Sequence, residues 1–180
     1  MNLRTFLNAK PLFLSFIFLG ISVLFSSIQM NAQCVSNESV SFSPSPVAGA
    51  YAPGTVVTIC YSVDYTMGTG SWVDGFEVIL GASWTNIQPL TAPVVCATAG
   101  TGAWIWQNSL TATGSGLTFG QGYYYDANLD GDGGNDDGDQ GACTIGFCVQ
   151  ATVNDNGDLS VQVTTGGDGS MGGTQVPIVL

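Results

Sequence analysis

Basic side chains are almost absent from this sequence, and histidine is absent altogether. Arg4 and Lys10 are the only cationic residues, against 13 Asp and Glu, and the formal net charge is −11. Every carboxylate lies after Lys10, in a stretch that has no cationic side chain of its own. Such a chain cannot neutralise phosphates, which excludes nucleic acids and anionic lipids as electrostatic partners.

The same absences argue against catalysis. After Lys10 no His or Lys is present to act as the usual base for a Ser or Cys nucleophile, and no Arg or Lys to hold an oxyanion. Two carboxylates could still hydrolyse glycosides. However, Asp74 and Glu77 lie three residues apart in a predicted strand and should point to opposite faces. We therefore expect a protein that is not an enzyme.

The first 32 residues predict a signal peptide. Arg4 and Lys10 form a positive start, residues 11–28 are a nearly unbroken apolar run, and Ala32 offers a small residue at the cleavage site. The run approaches the length of a membrane span, so an uncleaved anchor is the alternative. A lipoprotein anchor on Cys34 is disfavoured because Gln33 stands where a lipobox needs Gly or Ala. We expect an extracellular or cell-surface location, with no membrane contact after cleavage.

Helical periodicity is missing after this segment. Short β-branched and aromatic runs, such as residues 55–63 and 143–153, alternate instead with Gly, Pro and Asn turns. The turn at 154–157 predicts a hairpin that joins 143–153 to 158–164. About seven to nine strands are indicated. We predict that residues 33–180 form a single all-β domain, an antiparallel β-sandwich of Ig-like or jelly-roll-like type, preceded by the signal-peptide helix.

The five cysteines lie after the predicted cleavage site, where an oxidising compartment favours disulfides. Cys60 and Cys148 sit in strand-like runs and could join two strands, with Cys96 and Cys143 as further candidates. The sequence does not fix their connectivity. Zinc is the alternative ligand, although no His and no C-x2-C pair supports it. The odd cysteine and the apolar strand predicted at 176–180 indicate a fragment of a longer protein.

Residues 126–139, the acidic loop, carry the clearest motif. Residues 126–137 match the twelve-position calcium-loop pattern D-x-[DN]-x-[DN]-G-x5-E except at the last position, where Asp replaces Glu, and Gly131 falls at the turn position that needs glycine. The predicted ligands are the side chains of Asp126, Asn128, Asp130 and Asp137, together with the backbone carbonyl of Asp132.

Calcium is the expected cofactor because closely spaced aspartates repel one another unless a cation lies between them. The alternative is a solvated acidic turn, since Asp, Asn and Gly are common loop formers. Gly133 occupies the position at which paired EF-hands carry an apolar residue, and strand-like runs flank the loop. The sequence therefore predicts a calcium loop between strands.

Tryptophans offer a second type of site. Trp104 and Trp106 should share one face of a strand, where they could stack on sugar rings, but alternating tryptophans also fill sandwich cores.

Several short motifs occur in a fixed order over about residues 35–173: Tyr51-Ala-Pro-Gly54 before a Thr/Val strand, then a Trp-containing strand, Gly81-Ala-Ser-Trp84-Thr-Asn86, Trp104-Ile-Trp-Gln-Asn108, and the aromatic-Asp-x-Asn-x-Asp-Gly loop. Together they resemble the N-terminal β-domains of exported surface proteins from gliding, type IX-secreting (Bacteroidetes-type) bacteria. The resemblance implies location and architecture more than activity.

These observations predict a non-catalytic, calcium-stabilised module of a secreted, adhesion-type surface protein. A calcium-dependent carbohydrate-binding module and a glycoside hydrolase accessory domain are the alternatives. The expected partners are calcium and either an extracellular polysaccharide or a cell-surface protein.

Overall fold

The computed structural model describes residues 35–66, 72–96, 102–113, 116–136, 138–139, 141–167 and 175–178. The predicted signal peptide, Cys34 and Asp137 lie outside these ranges. Within them every regular element is a β-strand. No helix there has the length and apolar character needed to cross a membrane.

Eleven strands are present in the described ranges, against the seven to nine that the sequence predicts. Their bounds are β1 Val35–Ser43, β2 Val56–Tyr65, β3 Val73–Leu80, β4 Trp84–Thr91, β5 Ala103–Gln107, β6 Leu110–Thr111, β7 Thr118–Phe119, β8 Gly122–Asp126, β9 Cys143–Val153, β10 Val161–Gly167 and β11 Gln175–Ile178.

All strand pairings are antiparallel. A four-stranded sheet has the order β1-β2-β9-β4, and a five-stranded sheet has the order β11-β10-β3-β8-β5. The short strands β6 and β7 form a separate hairpin. The predicted all-β, sandwich-like architecture is confirmed.

The core lies between the two larger sheets, and the two central strands of the four-stranded sheet alternate strictly in burial. Every second residue of β2 and of β9 is buried. From the four-stranded sheet, Tyr61 lies with its ring centroid 5.8 Å from that of Phe76 in the opposite sheet. Phe147 likewise lies 5.3 Å from Tyr123. Period-two patterning thus places one apolar face of the four-stranded sheet against the five-stranded sheet, whose central strands are buried along most of their length.

The hairpin predicted at 154–157 is wrong. Strand β9 belongs to the four-stranded sheet and β10 to the five-stranded sheet, so this connection crosses between the layers. It pairs with the β3–β4 connection instead: Asn154 N–H donates to the Ser83 carbonyl at 2.8 Å, and Ser83 N–H donates to the Asp158 carbonyl at 3.0 Å. Turn residues specify a local reversal, whereas the strand partners are chosen by which faces can be buried.

Two disulfides settle the connectivity that the sequence left open. Cys60 and Cys148 are directly opposite on β2 and β9, with a Cα–Cα distance of 4.1 Å, on the face that points away from the core. Cys96, after β4, is bonded to Cys143, the first residue of β9. Disulfides of this kind are typical of oxidising, extracytoplasmic compartments.

Candidate metal centre

Strand β8 ends at Asp126, which is also the first residue of the acidic loop. It lies between β3 and β5, and all its residues are buried. Asp126 is its last residue and is only 2% exposed. A carboxylate fixed at the end of a central strand gives the loop a rigid starting point.

The first half of the loop is organised by aspartate–backbone hydrogen bonds. The Asp126 carboxylate accepts the Asp130 N–H at 3.2 Å and the Gly131 N–H at 2.8 Å. The Asn128 side-chain oxygen accepts the same Asp130 N–H at 2.8 Å. Gly131 has a φ of 93°, in the left-handed region that favours glycine. These bonds turn the chain back toward the end of β8.

Three carboxylates converge at this turn. One oxygen from each of Asp126, Asp130 and Asp136 lies within 4.8 Å of the other two, a grouping that could hold a metal ion. The carboxylate of Asp136 also accepts the Ala127 N–H at 3.0 Å, which draws the second half of the loop onto the first. The structure thus brings together two of the predicted ligands and one residue that the sequence analysis did not select.

Asp136 was missed because the motif counts to position 12, which is Asp137. That residue lies outside the described ranges, so its predicted role stays a prediction. The only signal in favour of Asp136 was that two aspartates stand side by side at this end of the loop. Which of two adjacent carboxylates turns inward depends on the path of the backbone and not on the spacing alone.

Asn128 and Asp132 do not belong to the carboxylate cluster but make hydrogen bonds within the same turn. Asn128 donates its amide to the Asp130 carboxylate at 3.2 Å. Asp132 donates its N–H to Asp130 at 2.9 Å and accepts the Gly134 N–H at 2.9 Å. Both side chains are exposed. The described contacts therefore show Asp132 as a turn-forming residue, and its predicted carbonyl ligand stays a prediction.

The charges in the cluster differ in their environment. Burial and the neighbouring carboxylates of Asp126 and Asp130 raise the pKa of Asp136, although the N–H groups of Ala127 and Asn128 partly oppose this. Hydrogen bonds from Asp132 N–H and from Asn135 lower the pKa of Asp130. Asp136 therefore resists ionisation, whereas Asp130 ionises more readily than an ordinary Asp. A bound cation would relieve the repulsion that the neighbouring carboxylates exert on Asp136.

The donor set suits a hard cation. A carboxylate oxygen has two lone pairs, so those that accept one N–H can still bind a metal. The ligand atoms are all oxygens, which calcium and magnesium prefer. No His exists in the chain, and the four cysteines of the described ranges are in disulfides. Soft, sulfur- or nitrogen-seeking metals therefore lack ligands among these residues.

Two glycines let the loop pack against its own domain. A Cβ at Gly133 would lie 2.9 Å from the Tyr125 carbonyl oxygen, and one at Gly134 would lie 2.5 Å from the Thr111 carbonyl oxygen. The Gly134 carbonyl accepts the Thr113 N–H at 2.8 Å. Gly133 thus lies directly against β8. This contact leaves no space for the apolar side chain that paired EF-hands carry at the same loop position.

The two candidate sugar-binding tryptophans lie in the core region. Trp104 is 6% exposed, packs its ring 5.2 Å from Phe76, and donates its indole N–H to the Val94 carbonyl at 3.1 Å. Trp106 is half-buried and meets Tyr123 edge-on at 5.1 Å. In this arrangement Trp104 presents no free face to a sugar, whereas Trp106 is partly accessible.

The fold and the site define an all-β, disulfide-bonded domain with an acidic loop that could hold a metal ion. Comparisons of the chain with protein-family models, curated proteins and solved structures found no match.

Proposed function

We propose that this domain is a non-catalytic extracellular module whose acidic loop binds calcium. The observation that carries the proposal is the convergence of Asp126, Asp130 and Asp136 within 4.8 Å in a chain with no cationic side chain after Lys10. Carboxylates this close repel one another, and the protein beyond Lys10 supplies no positive side chain to compensate. A divalent cation from outside is the natural counter-charge.

Calcium fits better than magnesium for two reasons. The loop offers many oxygen groups, whereas magnesium usually takes only one or two carboxylates and keeps its water. The exposed Asn128 and Asp132 leave this side of the loop open to water, which can complete the larger and less regular ligand shell of calcium. Bound calcium would join the end of β8 to the returning loop and stabilise the folded state by mass action.

An extracellular role is supported by the two disulfides and by the predicted signal peptide. The resemblance to exported surface proteins of type IX-secreting bacteria leads us to place the module in a secreted or surface-displayed, adhesion-type protein. Calcium would rigidify the module and would take no part in a reaction. The carbohydrate-binding alternative has less support because Trp104 is buried.

Calcium titration of thermal stability tests the proposal. The melting temperature should rise with millimolar calcium and fall with a chelator, and Asp126→Asn combined with Asp130→Asn should abolish the response. The matched control is Asp64→Asn combined with Asp158→Asn, which removes two charges outside the acidic loop and should keep the response. A wild-type protein that melts at the same temperature with and without calcium would contradict the proposal.

A further inference from the structure

The acidic loop rejoins the five-stranded sheet through Gly138 and Asp139, which we term the return limb. Asp139 N–H donates to the Val73 carbonyl at 2.8 Å, and Val73 N–H donates to the Asp139 carbonyl at 3.2 Å. A Cβ at Gly138 would lie 2.6 Å from the Val73 carbonyl oxygen. The return limb is therefore held tightly against the first residue of β3.

The side chain of Asp139 ties this limb to a disulfide. Asp139 is 0% exposed, and its carboxylate accepts the Cys96 N–H at 2.6 Å. Cys96 is bonded to Cys143, which begins β9 only four positions after Asp139. The limb, the carboxylate and the disulfide thus close a small ring of contacts at the end of the acidic loop.

We infer that the Cys96–Cys143 disulfide, acting through Asp139, positions the return limb, so that the metal affinity of the loop depends on the oxidation state of this disulfide. The inference rests on the proposed calcium site. Asp136 lies only three positions before Asp139, so the place of its carboxylate beside Asp126 depends on where the limb is held. Asp139 and the two cysteines are positioning residues and not metal ligands.

Reduction would release this arrangement. A dithiol supplies two electrons and two protons: the S–S bond breaks, each cysteine sulfur gains a proton, and the dithiol becomes a cyclic disulfide. The folded protein would then lose the covalent link between Cys96 and the start of β9, so that the Cys96 N–H to Asp139 hydrogen bond would no longer be anchored by the disulfide. Calcium would then have to order the limb on binding, and its affinity would fall. By linkage, calcium must protect the disulfide to the same extent.

The second disulfide provides a matched control. Cys60–Cys148 joins two central, hydrogen-bonded strands of the other sheet, on the face that points away from the core. The hydrogen bonds given above for Asp126, Asp136 and Asp139 involve neither Cys60 nor Cys148. Its removal should lower stability without affecting the position of Asp136.

Calorimetric calcium titration of three full-length proteins tests the inference: wild type, Cys96→Ala/Cys143→Ala, and Cys60→Ala/Cys148→Ala. We expect the first variant to bind calcium at least about fivefold more weakly, at the lower end of typical coupling factors, and the second to bind like wild type. Equal affinity in all three, or equal weakening in both variants, would overturn the inference while leaving the calcium site intact. A wild type that binds no calcium would overturn both.

A measurement on the wild type decides the matter if Cys96→Ala/Cys143→Ala does not fold. Dithiothreitol reduction is followed by alkylation and peptide mapping, with and without calcium, after Cys34 has been blocked. Calcium should slow the reduction of Cys96–Cys143 and leave that of Cys60–Cys148 unchanged. Identical reduction of Cys96–Cys143 in both conditions would refute the coupling. Asp139→Ala, which keeps the disulfide but removes the acceptor of the Cys96 N–H, should also weaken calcium binding.

Discussion

Replacing Asp136 with Asn should change stability in opposite directions with and without calcium. The pKa of Asp136 is raised by burial and by the carboxylates of Asp126 and Asp130. A raised pKa in the folded state means that the ionised group destabilises the metal-free fold at neutral pH. Asn carries no charge and can still accept the Ala127 N–H that Asp136 accepts at 3.0 Å. In a chelator, the variant should therefore be the more stable protein.

The size of both effects follows from the site geometry. Unit charges on Asp126 and Asp136 that lie no more than 4.8 Å apart repel by about 1 kcal/mol even at the dielectric constant of water. Removal of this term should raise the melting temperature by about 2–4 °C. With a dissociation constant of about 10⁻⁴ to 10⁻³ M, calcium at about 10 mM stabilises wild type by about 1.4–2.7 kcal/mol. That corresponds to a rise of about 3–10 °C, most of which the variant should lose.

Thermal unfolding followed by circular dichroism, in chelator and in calcium, measures both effects on the same samples. The order of the two melting temperatures should reverse when calcium is added. Asp158→Asn is the control, because hydrogen bonds from Ser160 lower the pKa of Asp158 outside the acidic loop. It should show no reversal. If Asp136→Asn melts below wild type in chelator, or keeps the full calcium response, then Asp136 does not have the role assigned to it.

Two further predictions concern pH and tryptophan. In chelator, the stability gained by Asp136→Asn should be close to zero at about pH 2.5, well below the ordinary Asp pKa of about 3.9, because the carboxylate is then protonated in both states. The gain should grow as the pH rises through the raised folded-state pKa of Asp136 and level off above it. Denaturant titrations at several pH values measure this, and a difference that does not vary with pH would contradict it. Trp104→Ala should cost about 3–5 kcal/mol because its ring fills the core, and intrinsic fluorescence should be unchanged by neutral polysaccharides. A saturable fluorescence change that disappears in Trp106→Ala would instead favour carbohydrate binding.

The local features of the fold could be predicted from sequence because they depend on neighbouring residues. The period-two alternation of 143–153 predicted a strand, and β9 has those bounds. Gly131 was placed at the loop position that the motif reserves for glycine, and the structure gives it a left-handed φ of 93° there. Asp126 and Asp130 were selected by spacing, and both belong to the cluster. Each of these outcomes is governed by contacts within a few residues.

Non-local decisions could not be predicted in this way. The turn at 154–157 was identified, but its flanking strands enter different sheets because each buries its apolar face against other partners. Five cysteines allow many pairings, and only the strand register brings Cys60 opposite Cys148. The buried position of Asp139 has no signature in an acidic stretch whose members look alike.

The sequence by itself determined the charge of this protein, its β-strand content and the chemistry of its acidic loop, because composition and short-range pattern are sufficient for these. Only the tertiary structure decided that Asp136 completes the carboxylate cluster and that Asp139 turns inward to Cys96. The physical reason is that an irregular loop has no repeating geometry, so the spacing of Asp136 and Asp139 in the sequence does not determine the direction of either side chain. Their directions are fixed by the strands and the disulfide at which the loop begins and ends.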